Sequence, residues 1–158
     1  LYIMSLEIER MPKDPKEEFI HMPNVPYLSV CTTSTHDMNP IRGWWEEDRS
    51  TTQRYFNNIL NEWGEAPQFC EPWVCEKIVA RHLYSPAMLV VLPFQDWLSI
   101  NGKYRRENIL EERINVPSDP KHFWCYRMHF TIEELLENDE VNDKILALTQ
   151  QAGRNSTM

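Results

Sequence analysis

The run Ala87-Met-Leu-Val-Val-Leu-Pro93 constrains this chain most. It is apolar without alternation, which is the pattern of a parallel strand covered on both faces. Parallel strands cannot be joined by a tight hairpin, so a crossover must precede this one. A helix stands in that place. Glu71-Pro72 opens it with proline in the first turn, where the missing N–H costs nothing. Val74, Cys75, Ile78, Val79, His82 and Leu83 recur at helical spacing, and Ser85-Pro86 ends it. His82 on that stripe reads as a packed histidine. Upstream lies a second β-type run, Tyr27–Thr33, with Leu28, Val30 and Thr32 on one face. Strand, helical crossover and strand place both strand exits on one edge of a parallel sheet. The fold class is therefore α/β.

Both exits carry polar residues. The first is Cys-Thr-Thr-Ser-Thr-His-Asp-Met-Asn-Pro-Ile-Arg-Gly-Trp-Trp-Glu-Glu-Asp over Cys31–Asp48, with His36 and Asp37 just past the strand and Asn39-Pro40 breaking it. The second is Gln95-Asp96, followed by Trp97. A rigid strand feeding an exposed loop is where α/β enzymes place their chemistry. On residue type alone, His36-Asp37 also fits a turn-capping aspartate beside a surface histidine.

The remaining chain reads as follows. Leu1–Arg10 is a strand with Leu6 and Ile8 in partial alternation, and Lys13–Pro26, with Pro15, Pro23 and Pro26, is an irregular surface loop. Ser50 or Thr51 caps a helix carrying Tyr55, Phe56, Ile59, Leu60 and Trp63, stopped by Gly64. Glu46–Asp48 reads as a solvated helix start. Asn101–Pro120 is a long charged loop around a short helix. Thr131 and Glu134 form a capping box for Ile132–Glu137. Asn138 or Asp139 caps a last helix with Val141, Ile145 and Leu148 inward, and Arg154–Met158 is expected to fray. The chain starts at Leu1 and enters a strand almost at once, which reads as a piece of something longer.

Composition removes several classes of function. Sixteen Lys and Arg against 24 Asp and Glu leave a net charge of -8, with no basic stripe for a nucleic-acid partner. No apolar run reaches the roughly 18 residues of a membrane helix. Glu7, Glu9 and Arg10 interrupt what a signal peptide would need, so the expected location is cytoplasmic. Cys31, Cys70, Cys75 and Cys125 lack zinc-ligand spacing and read as reduced thiols. Asn155-Ser156-Thr157 matches a glycosylation sequon by chance. The six Trp and six Tyr fit a sugar or other planar-faced ligand, though core packing is their commoner use.

Three stretches together resemble the 4-α-glucanotransferases, the amylomaltase or disproportionating-enzyme family. They are Thr35-His36-Asp37 with Arg42-Gly43-Trp44, then Pro93-Phe94-Gln95-Asp96, then Arg113-Ile114-Asn115-Val116-Pro117 with Trp124-Cys125-Tyr126-Arg127. The Trp44-Trp45-Glu46-Glu47-Asp48 form is most similar to the long, maltose-using branch. Ser118, Phe123 and Tyr126 depart from the family pattern, and Lys103–Glu112 looks long for it.

The resemblance implies the C-terminal portion of a (β/α)₈ barrel, about three of its strands plus several helices. Residues 1–130 would belong to the barrel and residues 131–158 would be C-terminal helices of the same domain. It implies retaining transfer of α-1,4-glucan between malto-oligosaccharides, with no cofactor and no metal. Asp37 is the implied catalytic-site carboxylate. His36, Gln95, Asp96, Arg113, Asn115 and Trp124 are the implied substrate-binding residues, and Trp124 can either stack on a sugar or pack. The nucleophile and the acid/base match nothing here, so the implied partners are malto-oligosaccharides and a missing N-terminal part, and the isolated chain is expected to be inactive. Two other readings stay open. One is a non-catalytic malto-oligosaccharide-binding or assembly module. The other is a metal-dependent hydrolase using His36 and Asp37, for which His21, His82, His122 and His129 offer no ligand spacing.

Overall fold

The computed structural model describes residues 3–124 and 126–154. Cys125, the sequon at Asn155–Thr157 and the expected fraying beyond Arg154 lie outside the described residues.

Three parallel strands form one sheet in the order β1-β2-β3: β1 is Ser5–Ile8, β2 is Ser29–Thr32 and β3 is Leu89–Val90. Leu6 pairs with Val30 and Val30 with Leu89, while Glu7 pairs with Cys31 and Cys31 with Val90. The crossover from β2 to β3 runs through α1 (Ile41–Trp45), α2 (Arg49–Asn58) and α3 (Pro72–Leu83). After β3 come α4 (Phe94–Ser99), a 3-10 turn at Ile109–Glu112, α5 (Ile132–Leu136) and α6 (Asp139–Gln151). The α/β class and the crossover helix follow the sequence pattern, and every residue of the expected α3 stripe is buried.

The two sheet faces differ. On one, Cys31 and Val90 pack into the interior. On the other, Leu6, Leu28 and Leu89 are close to half exposed and Val91 is 59% exposed. This corrects the expectation of a strand buried on both faces. The residues of Ala87–Pro93 are suited to two covering layers, but the described residues supply one, and only Leu89–Val90 is hydrogen-bonded as strand.

The main core is built by the crossover helices. Ile41, Trp45, Tyr55, Phe56, Val74, Ile78, Val79 and Leu83 interlock there, joined by Leu148 from α6. Trp45 meets Tyr55 and Phe56 edge-on, with centroids 6.5 and 6.4 Å apart, the geometry that sets a positive ring edge on a negative face. Its indole N–H donates to the Pro67 carbonyl at 2.9 Å.

Several local readings shift. Asp48, not Ser50 or Thr51, caps α2: its carboxylate accepts from the Ser50 N–H at 2.9 Å. Asn61 takes a positive φ of 54°, the chain leaves the helix, and Trp63 ends 93% exposed instead of on the stripe. Gly64 follows at φ 90°. Within the expected surface loop Lys13–Pro26, Met22 and Val25 turn inward and form a second small core with Cys31 and Ala87. α5 carries the expected capping box, and Asn138 caps α6.

Candidate functional site

The exit of β2 is held from behind. Asp96, in the first turn of α4, is completely buried. Its carboxylate accepts from the Thr33 and Ser34 hydroxyls on one side and from the Ile41 N–H, at 2.8 Å, on the other. It therefore brackets the loop that carries His36 and Asp37 and satisfies a donor at the start of α1, where Pro40 has no side-chain donor or acceptor to offer. Burial pushes the Asp96 carboxyl above the usual range, while the Thr33 and Ile41 hydrogen bonds pull the other way. Gln95 is buried beside it and donates from Nε2 to the Glu112 carbonyl at 3.0 Å.

In front of this support, His36 and Asp37 are each half exposed. His36 Nε2 lies 3.4 Å from Asp37 Oδ2. Asn115 Nδ2 donates to Asp37 Oδ1 at 2.6 Å, and the Asn115 N–H donates to the His36 carbonyl at 3.1 Å. Arg113 binds the same loop. Its Nε donates to the Asn115 carbonyl at 2.9 Å, and its Nη2 reaches the Asp37 carbonyl at 3.5 Å. Trp124, 63% exposed, lies against the His36 ring with centroids 4.6 Å apart.

Five of the seven residues singled out in the sequence thus meet on one surface: His36, Asp37, Arg113, Asn115 and Trp124. Gln95 and Asp96 lie directly behind them as internal hydrogen-bonding groups. Chemically, the surface presents a carboxylate, an imidazole, a guanidinium and an indole face within one cluster. That set suits a neutral polyhydroxyl ligand with both a polar edge and an apolar face. Gly43 is required by a close approach: a Cβ there would sit 3.0 Å from the Asn39 side chain. A cavity of about 450 Å³ lined by Trp45, Glu46, Arg49, Glu65, Gln68 and Phe69 shares no residue with this cluster.

Several other acidic groups are committed elsewhere. Glu9 is buried, takes the Arg81 guanidinium at 2.8 Å and accepts from the Tyr55 hydroxyl. Glu7 pairs with Lys13. Glu47 accepts from Asn39. Glu112 pairs with Arg42 at 2.6 Å. Among the described residues no group of three or more His, Cys, Asp or Glu converges as a metal-ligand set. The buried Cys70 and Cys75 are free thiols with sulfurs 3.3 Å apart. No helix among the described residues is long and apolar enough to cross a membrane. His82 is the packed histidine expected, its Nδ1 2.8 Å from the Ile78 carbonyl.

Sequence reasoning missed Arg42 and Glu112 as a pair. They are 70 positions apart, Arg42 within the Arg42-Gly43-Trp44 motif and Glu112 within a long charged loop. Nothing local marks them as partners.

Comparison with known proteins identifies the family. The family model described as 4-alpha-glucanotransferase matches residues 1–133. A 4-alpha-glucanotransferase of Oryza sativa subsp. japonica is 36% identical over 98% of this chain, and the match covers 16% of the rice protein. A 4-alpha-glucanotransferase of Aquifex aeolicus is 30% identical over 84% of this chain and 24% of its own length. Among solved structures, an amylomaltase from Streptococcus agalactiae in complex with acarbose superposes with a TM-score of 0.67 at 18% identity, covering 98% of this chain and 28% of that one. The chain spans about a quarter or less of the length of these two curated relatives. On the strength of the family match, this chain belongs to the 4-alpha-glucanotransferase family, of which it represents a small part.

Proposed function

We propose that this chain is the back part of a transglycosylating barrel, contributing one wall of the sugar-cleavage subsite of a 4-α-glucanotransferase. The carrying observation is the convergence of Asp37, His36, Asn115, Arg113 and Trp124 at the exit of β2, in a chain matched over residues 1–133 to that family. The half-exposed apolar sheet face supports the barrel part of this reading, since three parallel strands cannot close on themselves. The Streptococcus enzyme's complex with acarbose supports an α-glucan-like ligand.

In this reading the parent enzyme works by retention. A carboxylate nucleophile takes the donor glucan as a glycosyl-enzyme, while a second carboxylic acid protonates the leaving oxygen and later deprotonates the acceptor hydroxyl. Retention requires the two carboxyl groups about 5–5.5 Å apart. No second strand-end carboxylate of this chain matches the family's nucleophile or acid/base, and Glu7, Glu9, Asp96 and Glu112 are engaged in internal contacts, so this reading assigns both catalytic carboxyl groups to parts of the parent outside this chain. Asp37 takes the third role. Its carboxylate accepts hydrogen bonds from sugar hydroxyls, and these strengthen as positive charge builds on the ring. His36 donates to a neighbouring hydroxyl, Arg113 and Asn115 set the orientation of Asp37, and Trp124 offers its face to the ring. Gln95 and Asp96 act from behind, through the loop they hold.

The test is direct. Incubated with maltotriose, the isolated chain releases no glucose. Glucose release that disappears in Asp37→Asn would overturn the assignment of the nucleophile and acid/base to other parts of the parent. The second reading, a non-catalytic malto-oligosaccharide-binding module, is favoured by the sugar-facing cluster being assembled within this chain alone. Saturable quenching of Trp fluorescence by maltotriose, lost in Asp37→Asn, would favour it.

A further inference from the structure

The segment from Asn101 to Phe130 passes beside the site with little apolar burial to hold it. Among its described residues the only regular structure is the 3-10 turn at Ile109–Glu112. Several of its large apolar side chains face outward, with Leu110 80% exposed and Phe123 and Trp124 exposed as well, while Ile109, Ile114 and Val116 are only partly buried. Among its described residues one alone is buried, and it is a charged one, Glu112. With no apolar side chain fully buried among its described residues, the hydrophobic effect does little to fix this segment, and polar contacts set much of its position.

Asn101 and Tyr104 tie the start of the segment to Glu140 and Arg105 ties it to the Cys70 carbonyl, and nearer the site the contacts converge on Glu112. Arg42, on α1, donates from a single Nη1 to Glu112 Oε1 at 2.6 Å and to the Arg106 carbonyl at 2.7 Å. Gln95, on α4, donates to the Glu112 backbone carbonyl at 3.0 Å. One residue later the chain reaches Arg113, and three residues later Asn115, which grips the Asp37 carboxylate and the His36 carbonyl. Arg42 itself lies two residues after Pro40, where the His36–Asp37 loop ends. Both sides of the Asn115–Asp37 contact are thus fastened to the same buried pair. Oε2 of Glu112 has no hydrogen-bond partner among the described residues, so the pair is only partly satisfied and is a costly choice if stability were its sole use.

We propose that Arg42, Glu112 and Gln95 form a pin that sets the Arg113–Asn115 strap against Asp37, making them positioning residues of the site. The pin stands on the geometry alone, while its consequence for sugar rests on the glucan-site reading above.

The experiment is amide exchange and histidine NMR on the 158-residue chain without sugar, so that it is independent of whether any glucan binds. The variants are Glu112→Leu, Glu112→Gln and the double variant Arg42→Met with Glu112→Leu. The double variant replaces both charges by apolar groups, which buried pairs commonly tolerate without loss of stability. The expected result is at least about a tenfold rise in exchange at the Asn115 N–H with the α3 amides held within about twofold. The His36 ring proton shift caused by Trp124 should also be lost. Glu112→Gln, which keeps an acceptor for Arg42, should restore most of the protection. Asn115 protection unchanged in the double variant would overturn the proposal. So would Asn115 and α3 losing protection together there, because the pair would then act only through overall stability.

Discussion

Replacing Asp96 by alanine tests the support of the site most sharply. The wild-type carboxylate accepts from the Ile41 N–H at 2.8 Å and from the Thr33 and Ser34 hydroxyls, all in a fully buried setting. Truncation strands the Ile41 N–H, a fixed backbone donor, and that costs about 1–3 kcal/mol. The two hydroxyls can rotate towards other acceptors, so they add about 0.5–1.5 kcal/mol each at most. Relief of the buried charge offsets part of this, because burial already disfavours the ionised form. The expected net loss is about 2–4 kcal/mol, or a fall of roughly 4–16 °C in melting temperature for a chain of this size.

Asp96→Asn keeps an acceptor for Ile41 and turns its amide towards two hydroxyls that can accept, so it should lose about 1 kcal/mol or less at neutral pH. The sign of the pH effect is set by the raised carboxyl. The folded state holds the Asp96 proton more tightly than the unfolded state does. Its contribution is therefore complete below the unfolded value of about 3.8 and declines as pH rises through the folded value. Stability of wild type relative to Asp96→Asn should accordingly decrease as pH rises above about 4. Urea unfolding followed by tryptophan fluorescence at several pH values measures all of this. A loss below about 1 kcal/mol in Asp96→Ala would refute the account of Asp96 as the bracket of the β2 exit.

Other outcomes follow from the same structure. His82 is buried and its imidazole is pushed down by desolvation, so the folded state resists its proton. Stability from His82 is complete above the unfolded value of about 6.5 and is lost as pH falls through it towards the folded value, and His82→Gln should flatten the acid limb below about pH 6.5 in a melting series. Burial pushes the Cys31 thiol up to about 12, and it also raises Cys70, so iodoacetamide at pH 8 should label both only after denaturant is added, as read by mass spectrometry. Leu89→Thr and Val91→Thr, on the open sheet face, should cost under about 0.5 kcal/mol in urea unfolding while lowering binding of a hydrophobic dye. Gly43→Ala should destabilise by about 1–3 kcal/mol, because its methyl meets the Asn39 side chain at 3.0 Å.

The sequence determined by itself what depends on near neighbours in the chain. The α3 stripe from Val74 to Leu83, the Thr131–Glu134 capping box and the parallel crossover are local periodicities and caps, and they are found where the pattern puts them. The motif residues around His36-Asp37 and Arg113–Asn115 were legible for the same reason, and so was the family. Only the tertiary structure decided which of them face outward. Gln95 and Asp96 stand in the same strand-exit pattern as His36 and Asp37, yet α4 begins at Phe94 and turns both side chains inward. The helix cap at Asp48 lies two residues before Ser50 and three before Thr51, a shift no propensity resolves. The Arg42–Glu112 pair and the exposure of Leu89 and Val91 were beyond sequence reading altogether. The first joins charges 70 positions apart, and the second depends on which layers cover a sheet, a property of the assembled fold and not of the strand.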